Sequence, residues 1–470
     1  MSMTMHGCVR SVMCGRGDTV HIRCATLPMA VSLALASMSG LSLAQQMPQT
    51  KADGAATEKL EEIVVTAQKR RELLQKTPIA ITAITTRELE TQRIDNLLDL
   101  AGKLPSLSIV PFTGNRAAPN LSIRGMGNLD SQTTKDNAFG IYVDGVPVGR
   151  GVGLAADVAD LERIELLRGP QGTLYGRNTS SGAINFITVK PEKGFSFQQG
   201  LTAGSRNLFA SKTRLNVPLS DTLFTRLAYM RSSNSGWVKN TNTTMPNQIN
   251  FNEDDKEAAR WALRLLASEN FTADFSLDHS KVTYGNVFFQ RMVGPTAFVG
   301  ERQDSAPARI GLSPGQTKVD GQNLTLTWNA GDLVLKSITS SRDMKNHVHQ
   351  DYIDSFTQIG DQSQDQQSQE FQAIGSALDK RIEYVAGVFF YRESGNEAMV
   401  SRFPAVPLTD SWVVRAESKS TALYGQASWK PPVLEDRLRL TLGVRETRDE
   451  RSATKSFVFS SFDPASNGRV

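Results

Sequence analysis

The stretch RIELLRGPQGTLYGRNTSSGAINFITVKP, residues 163–191, contains two runs of branched apolar residues separated by glycine-rich turns. Arg163–Leu167 and Ala183–Val189 each favour a β-strand, because branched side chains pack well on a pleated surface. Arg168 to Gly172 reads RGPQG, and glycine next to proline indicates a turn. The stretch therefore predicts two short strands that meet through turns inside a small globular domain.

The residues before this stretch extend the same domain towards the N-terminus. The run 79–85 (IAITAIT) predicts a strand. Thr85 and Glu88 have the spacing of a capping box, which predicts the start of a short helix. Asp144-Gly145 has the composition of a two-residue hairpin turn. Short strands and helices around one core predict a compact α+β domain over 77–190.

From residue 195 onward, apolar and polar residues alternate, as in 271–278 (FTADFSLD) and 438–445 (LRLTLGVR). Such strands have one apolar and one polar face, which fits either a β-sandwich or a transmembrane β-barrel. Tight turns such as 329–332 (NAGD) alternate with long polar segments such as 393–417, which we interpret as loops. Because short turns at one end and long loops at the other are typical of outer-membrane barrels, the pattern favours the barrel.

The first 44 residues have the features of a secretory signal peptide. The apolar run 27–44 follows three arginines and ends in the small-residue sequence Ser42-Leu43-Ala44. A transmembrane anchor is the alternative, but a proline and several serines make the run weak for that role. Residues 45–60 are small and polar, and they predict a flexible tether.

Composition and charge exclude several classes of protein. The chain has 52 basic and 48 acidic residues, and a net charge of +4 is too balanced for a protein that coats nucleic acid. All three cysteines (Cys8, Cys14 and Cys24) precede the predicted cleavage point. The mature chain is therefore expected to have no disulfide and no catalytic thiol. The sequence shows no nucleophile–base arrangement, so an enzyme is not expected.

The segment EEIVVTA, residues 61–67, is a short β-prone run directly after the tether. A strand without a partner can be captured by addition to the sheet of another protein. The alternative is that the segment forms the first strand of the domain that follows. The sequence leaves both interpretations open.

Several motifs resemble, in the same order, those of TonB-dependent outer-membrane receptors of the iron-complex type. The motifs are EEIVVTAQKR (61–70), TPIAITAIT (77–85), SIRGMGN (122–128), GIYVDGVPVGR (140–150) and the opening stretch 163–191. SQEFQ (368–372) and EYVAGVFFYRE (383–393) are similar to barrel strands of the family. The resemblance covers essentially the whole chain after the signal peptide.

The resemblance implies a mainly β fold, with an N-terminal α+β plug domain at 68–191 inside a transmembrane antiparallel β-barrel. It implies active uptake of a scarce small-molecule ligand, most often a ferric siderophore, across the bacterial outer membrane. TonB would supply the energy and outer-membrane lipid would surround the barrel, while nucleic acid is not an expected partner. No permanently bound cofactor, no metal site and no catalytic residue is expected.

The resemblance also implies two sets of functional residues. Residues 61–67 correspond to the TonB box, whose TonB-binding residues would be Glu62, Ile63, Val64, Val65, Thr66 and Ala67. Arg124 and Arg168 match plug arginines that in this family pair with glutamates of the barrel lumen. Glu370 is the expected partner, because it lies in the SQEFQ strand motif. We expect these three residues to form an ionic lock between plug and barrel.

The length departs from the family pattern. A barrel of about 22 strands needs about 220 residues in the membrane alone, while 195–470 has only 276 residues in total. We therefore expect a C-terminally truncated chain with about ten to twelve strands, roughly half of the barrel. The specificity-determining upper loops of the plug are expected within 111–137.

Alternative interpretations concern the ligand and two histidines. A non-iron ligand, such as vitamin B12, an oligosaccharide or an aromatic compound, would use the same transport class. A secreted β-sandwich binding module is a further alternative, although it would leave the TonB box and plug motifs unexplained. His347 and His349 could share one face of a strand as metal ligands, but we expect an exposed loop there.

Overall fold

The computed structural model describes residues 62–461, apart from 95–96, 113–114, 128–134, 150–159, 243–248, 291, 294–296, 299–302, 309–312, 353–355, 404–407 and 434–436. The predicted signal peptide 1–44, the tether 45–60 and Glu61 lie outside these residues. None of the helices in the described part of the chain is long and apolar enough to cross a membrane.

Ten short strands and four short helical turns occupy the first part of the described chain. The strands are β1 Val64–Val65, β2 Glu72–Leu73, β3 Ile81–Thr85, β4 Leu107–Phe112, β5 Asn115–Ile123, β6 Met126–Gly127, β7 Phe139–Val143, β8 Val146–Pro147, β9 Leu161–Arg168 and β10 Gly182–Thr188. The α-helices are α1 Thr86–Thr91 and α2 Gly172–Tyr175, and the 3-10 helices are Leu74–Lys76 and Leu97–Leu100.

The opening stretch 163–191 forms the centre of a five-stranded sheet with the order β3-β9-β10-β7-β8. β10 pairs antiparallel with β9 and parallel with β7, so both of its edges are used. Leu166 and Ile184 are fully buried in the core of this domain, and α2 lies in the turn between the two strands. The predicted α+β plug fold is confirmed by this arrangement.

The predicted capping box forms at the start of α1. The carboxylate of Glu88 accepts a hydrogen bond of 2.8 Å from the backbone N–H of Thr85. The backbone N–H of Glu88 donates in return to Thr85 Oγ1 at 3.4 Å. These bonds pair two N–H groups that an uncapped helix end leaves without partners.

Eleven long strands form a single antiparallel sheet from residue 196 to residue 461. They are β11 Ser196–Gly204, β12 Leu208–Pro218, β13 Leu223–Asn234, β15 Asp254–Leu266, β16 Phe271–Tyr284, β20 Gly315–Ala330, β21 Leu333–Tyr352, β22 Phe356–Ala377, β23 Ile382–Phe403, β24 Leu408–Trp429 and β25 Leu440–Ser461. Four two-residue strands lie in the connections: β14 Lys239–Asn240, β17 Met292–Val293, β18 Ala297–Phe298 and β19 Ser305–Ala306. An isolated bridge also joins Val238 and Phe251.

The order of the large sheet follows the sequence from β11 at one edge to β25 at the other, and every neighbouring pair is antiparallel. A single sheet of this kind agrees with the predicted partial barrel and not with a β-sandwich, which has two packed sheets. A two-residue connection, Gly331-Asp332, joins β20 to β21 at the predicted tight turn.

Two loop predictions are wrong. Most of 393–417 continues the strands β23 and β24, and His347 and His349 lie within β21. The strands continue because each residue there has a paired neighbour, for example Glu397 opposite Val414. Polar composition indicated loops in a soluble context, whereas a strand with one face towards a polar lumen tolerates the same residues.

The two faces of the large sheet differ in polarity. One face carries exposed apolar side chains, including Leu442 at 82%, Leu423 at 61% and Phe371 at 50% exposure. The other face packs against the plug and is polar, with buried Gln364 and Glu370 among its residues. This is the arrangement of a barrel wall with lipid outside and a polar interior.

Candidate functional site

The predicted TonB-binding segment 62–67 is folded onto the plug. Val64 and Val65 pair with Leu73 and Glu72 in a two-stranded antiparallel ribbon. Val65 and Ala67 are buried, at 0% and 1% exposure. Of the two interpretations left open by the sequence, the structure agrees with a first strand of the following domain and not with an unpaired strand.

Two plug residues fix the end of this segment. The backbone N–H of Thr66 donates to Glu165 Oε1 at 2.8 Å, and the hydroxyl of Tyr175 donates to the carbonyl of Ala67 at 2.9 Å. Burial raises the pKa of Tyr175 above its usual range, so the phenol stays protonated and remains a donor. Arg163 Nε also donates to Glu165 at 2.8 Å, which supplies a countercharge for this fully buried carboxylate.

Glu370 on β22 forms the first contact between this region and the large sheet. Its carboxylate pairs with Lys69 Nζ and accepts a hydrogen bond of 2.5 Å from the Tyr424 hydroxyl. Lys69 also lies over the Tyr424 ring, 5.0 Å from the centroid. The sequence therefore indicated the barrel carboxylate of a plug–barrel ion pair, and Lys69 is its partner in the structure.

The two predicted lock arginines lie elsewhere. Arg168 Nη2 donates to Thr82 Oγ1 at 2.9 Å, inside the plug, and Arg124 lies beside Gly169. The pairing of these arginines with Glu370 is therefore wrong for this structure. The reason is geometric, because the Lys69 ammonium already occupies the position beside Glu370, while Arg168 ends a central plug strand.

Further cations of the plug meet carboxylates of the late strands β22–β25. Arg70 lies 3.3 Å from Glu383 on β23. Arg177 donates to Ser418 Oγ at 2.8 Å, and its guanidinium lies 3.8 Å from Glu393 and 3.9 Å from Asp449. These pairs place the positive charge on the plug, but the late strands also supply cations: Arg451 on β25 pairs with plug Asp136, and Arg439 lies 3.9 Å from plug Glu72.

At the early strands β12–β16, the plug supplies anions and the sheet supplies arginines. Asp160 of the plug accepts two hydrogen bonds from Arg226 on β13, one of them at 3.0 Å from Nη2, and lies 3.5 Å from Arg214 Nε. Asp144 in the β7–β8 turn accepts a hydrogen bond of 3.0 Å from Arg260 on β15. These aspartates are plug anions held by sheet arginines.

The surroundings of Asp144 keep it ionised. Burial alone would raise the pKa of this carboxyl. The charges of Lys190 at 3.2 Å and of Arg260, with two hydrogen bonds from Thr188, outweigh burial and lower the pKa to about 2. The hairpin turn that the sequence predicted thus carries a permanent negative charge.

A row of glutamines on β22 contacts the tip of the same plug hairpin. Gln366 Nε2 donates to the carbonyl of Pro147 at 2.6 Å, and Gln366 Oε1 accepts from the N–H of Gly149 at 2.9 Å. A Cβ at Gly149 would lie 2.3 Å from the Tyr391 hydroxyl, so glycine is required at this close approach. The polar segment 362–369 lies within β22.

No group of three or more potential metal-ligating side chains occurs within the described ranges. His347 Nδ1 lies 2.8 Å from Asp361 Oδ1 on the exposed face of the sheet. His349 is buried. The donors that converge at the plug–sheet interface instead form ion pairs and amide contacts between the two parts of the chain.

Sequence reasoning missed Lys69, Arg177, Asp144 and Asp160 as interface residues. Their partners lie far away along the chain, with 301 positions between Lys69 and Glu370. The one usable signal was the placement of charged residues on the polar face of alternating strands, as for Arg226. That signal predicts which face a side chain occupies and does not identify its partner.

Three features define the class of outer-membrane receptors with a plugged barrel. They are an α+β plug, a large antiparallel sheet with an apolar outer face, and a charged interface between the two. Residues 73–183 match the family model described as the TonB-dependent Receptor Plug Domain. The family resemblance seen in the sequence is confirmed: the chain has the plug domain and part of the barrel sheet of a TonB-dependent receptor.

Curated relatives agree with this family. The chain is 26% identical over 407 residues to the pesticin receptor of Yersinia pestis, which covers 83% of this chain and 56% of the relative. It is 30% identical over 180 residues to the iron-regulated outer membrane virulence protein of Vibrio cholerae, covering 36% of this chain and 25% of the relative. The chain spans about half the length of the first of these relatives. The predicted location in the outer membrane is confirmed by the class of these proteins.

Solved structures show the same fold. The ferric yersiniabactin uptake receptor from Yersinia pestis has a TM-score of 0.66 and 21% identity, over 81% of this chain and 61% of that chain. The ferripyoverdine receptor of the outer membrane of Pseudomonas aeruginosa has a TM-score of 0.66 and 16% identity, over 85% of this chain and 56% of that chain.

Proposed function

We propose that this protein takes part in TonB-dependent uptake of a ferric siderophore across the bacterial outer membrane. The observation that carries the proposal is the continuity between β1 and the plug–sheet ion pairs. Only three residues separate Val65 from Lys69, and Lys69 and Arg70 bind sheet carboxylates. A force applied at β1 therefore reaches the barrel wall within one short stretch of chain.

Residues 62–67 are the proposed TonB-binding site. TonB would add one of its own strands to this segment, so that backbone hydrogen bonds give the affinity. β1 pairs only through two residues with β2, and a ribbon of that length is marginal by itself. Exchange of β2 for a strand of TonB therefore requires little disruption, although the buried side chains Val65 and Ala67 must leave the plug.

The proposed mechanism has no covalent step. The charged plug residues Lys69, Arg177, Asp144 and Asp160 form salt bridges or hydrogen bonds with the sheet, and their proposed roles are to hold the plug and to let it move. The names of the similar structures point to a ferric siderophore as the transported ligand, and the ligand is cargo rather than a resident cofactor. Proton-driven work by TonB would supply the free energy for breaking the interface.

A proline at β1 tests the proposal. Val65→Pro removes a backbone N–H and disfavours strand pairing, so we expect accumulation of ⁵⁵Fe from a ferric siderophore to be lost in iron-starved cells that express the receptor. Binding of the same complex at the cell surface should persist. Gln75→Ala, at an exposed position outside residues 62–67, is the control and should keep uptake. Undiminished uptake by Val65→Pro would contradict the proposal.

A further inference from the structure

Four aromatic side chains stack at the far end of the strands β21–β23. The ring centroids of Tyr352 and Phe356 lie 4.1 Å apart with an interplanar angle of 18°. Phe403 continues the stack from Phe356 at 5.4 Å and 25°, and Phe289 continues it from Tyr352 at 5.6 Å and 27°. We call these four residues the ring ladder.

The ring ladder lies on the face of the sheet that carries the plug. On β22, Phe356 has the same parity as Gln366, which contacts the plug. On β23, Phe403 has the same parity as Tyr391, whose ring lies under the plug residue Arg177. The register shows no bulge in these strand pairs, so the parity is preserved to the strand ends.

The ladder also lies well beyond the plug contact. Phe356 is ten positions from Gln366, which corresponds to about 33 Å along an extended strand. Strands β22 and β23 have 22 residues each, about twice the 9–11 that a membrane crossing requires. The tight turn Gly331-Asp332 is at the opposite end, whereas the long connections 235–253 and 285–314 are at the same end as the ladder. The ladder therefore lines the extracellular part of the lumen, above the plug.

A second aromatic group continues the same wall on β24 and β25. Trp412 and Phe457 are stacked 6.4 Å apart, and Phe459 meets Phe457 edge-on at 4.4 Å. Lys455 Nζ lies 5.4 Å from the Phe457 centroid. Aromatic rings with an ammonium beside them offer an apolar surface together with a positive charge, which suits an anionic aromatic ligand.

Cross-strand packing alone does not account for the ladder. Aromatic pairs on neighbouring strands do stabilise a sheet, and this explains contacts between Tyr352, Phe356 and Phe403. Phe289 comes instead from the connection between β16 and β20, and it extends the stack. All four residues keep intermediate exposure, so their rings remain accessible from the lumen rather than closed in a core.

The stacking geometry selects a class of ligand. Inside the ladder, the ring faces are covered by neighbouring rings, so the accessible parts are ring edges and the ends of the stack. Ring edges carry partial positive charge and attract the π-faces of other aromatic rings or anionic oxygens. Sugars, in contrast, need free ring faces.

We propose that the ring ladder is a docking site for the aromatic rings of an aryl iron chelate, in which phenolate or catecholate oxygens hold the iron. This inference rests on the proposed uptake function and adds the chemical class of the cargo. The chelate would contact the ladder before it reaches the plug. Aliphatic chelates, such as ferric citrate, would gain nothing from these rings.

Equilibrium dialysis of the detergent-folded chain with ⁵⁵Fe complexes tests the inference. The probes are the ferric complex of 2,3-dihydroxybenzoate and ferric citrate. The variant Phe356→Leu/Phe403→Leu removes two rings and keeps apolar side chains. Phe371→Leu, on the same strand but on the exposed outer face, is the matched control. Near-ultraviolet circular dichroism checks that each variant folds.

We expect the double variant to bind the ferric catecholate about tenfold more weakly. Ferric citrate binding and the control should be unchanged. Equal catecholate binding by the double variant, or equal loss of both chelates, would overturn the inference. If the parent chain bound ferric citrate and not the catecholate, the inference would fail and the uptake proposal would stand. Binding of neither chelate by the parent chain would count against both.

Discussion

The plug is held differently on its two flanks. On the early flank, strands β12–β16, sheet arginines hold the plug anions Asp144 and Asp160. On the late flank, strands β22–β25, sheet carboxylates hold the plug cations Lys69, Arg70 and Arg177. The late flank also contains the opposite pairing, between Arg451 of β25 and Asp136 of the plug. Its charges are therefore mixed, whereas the early pairs named here all place the negative charge on the plug.

The difference lies in rigidity as well as in sign. The early pairs are dry and use a planar guanidinium with several donors: the Arg260 and Asp144 side chains are 4% and 6% exposed. The late pairs are less uniform: Lys69 has a flexible stem and Glu383 is 30% exposed, whereas Glu370 is only 5% exposed. The plug residues of the late flank, Lys69 and Arg70, also come directly after segment 62–67 in the sequence. We infer that the early flank anchors the plug, while the late flank yields when the N-terminal segment is pulled.

The largest effect is expected from Asp144→Asn. Loss of this charge leaves Arg260 buried without its partner and weakens the contact to Lys190. Removing one member of a buried pair typically destabilises a protein by about 3–5 kcal/mol. The urea concentration at which trypsin first cleaves the plug should therefore fall strongly. Asp255→Asn, in an exposed pair with Arg231, is the control, and an equal fall in both variants would argue against a special anchoring flank.

The second-largest effect is expected from acid, which should weaken the early, anchoring flank. The pKa of Asp144 is about 2 in the folded chain, below its ordinary value of 3.8. A lowered pKa gives stability that is present above pH 4 and is lost as the pH falls towards 2, by about 2 kcal/mol. Unfolding curves recorded by circular dichroism at pH 5, 4, 3 and 2.5 measure this loss of stability, because that readout does not depend on trypsin. The Asp144→Asn variant should lose less stability over that range than the parent chain.

A smaller and more local effect is expected from Lys69→Met. The change leaves the Glu370 carboxylate with Tyr424 as its remaining partner among the contacts described above, at a cost of about 1–3 kcal/mol. Amide hydrogen exchange of residues 64–73 should become faster, while that of the Asp144 hairpin should not change. Lys69→Arg keeps the charge and is the matched control.

Arg168→Ala distinguishes the two versions of the ionic lock. If Arg168 locked the plug to the barrel, as the family resemblance implied, its removal would speed exchange at 64–73 as much as Lys69→Met does. In the structure its guanidinium donates to Thr82 within the plug. We therefore expect the change to be confined to the plug strands β3 and β9.

The smallest effect is expected on the outer face of the early flank. Arg231 and Asp255 form a 3.2 Å pair, but both side chains are about half exposed. Solvent screens such a pair, so Arg231→Ala should leave the trypsin-cleavage midpoint unchanged. A clear fall would show that charge pairs stabilise this sheet wherever they lie, and the comparison of the two flanks would lose its basis.

Local sequence patterns predicted the elements well. The capping box at Thr85 and Glu88, the turn at Asp144-Gly145 and the strands on both sides of RGPQG all depend on residues within a few positions of one another. The loop prediction for 393–417 failed because polar composition was taken for exposure to solvent. Inside a barrel, a polar face is directed towards a lumen, and the strand can continue.

The sequence by itself determined the alternation that gives the sheet one apolar and one polar face, the α+β character of residues 77–190 and the motifs of the family. Only the tertiary structure decided that Lys69, and not Arg168, meets Glu370, that sheet arginines hold Asp144 and Asp160 on the early flank, and that Phe289 joins rings of three strands. The physical reason is distance along the chain. Propensity and periodicity act over a few residues, whereas these contacts join positions up to 301 apart and depend on how the plug is seated against the sheet.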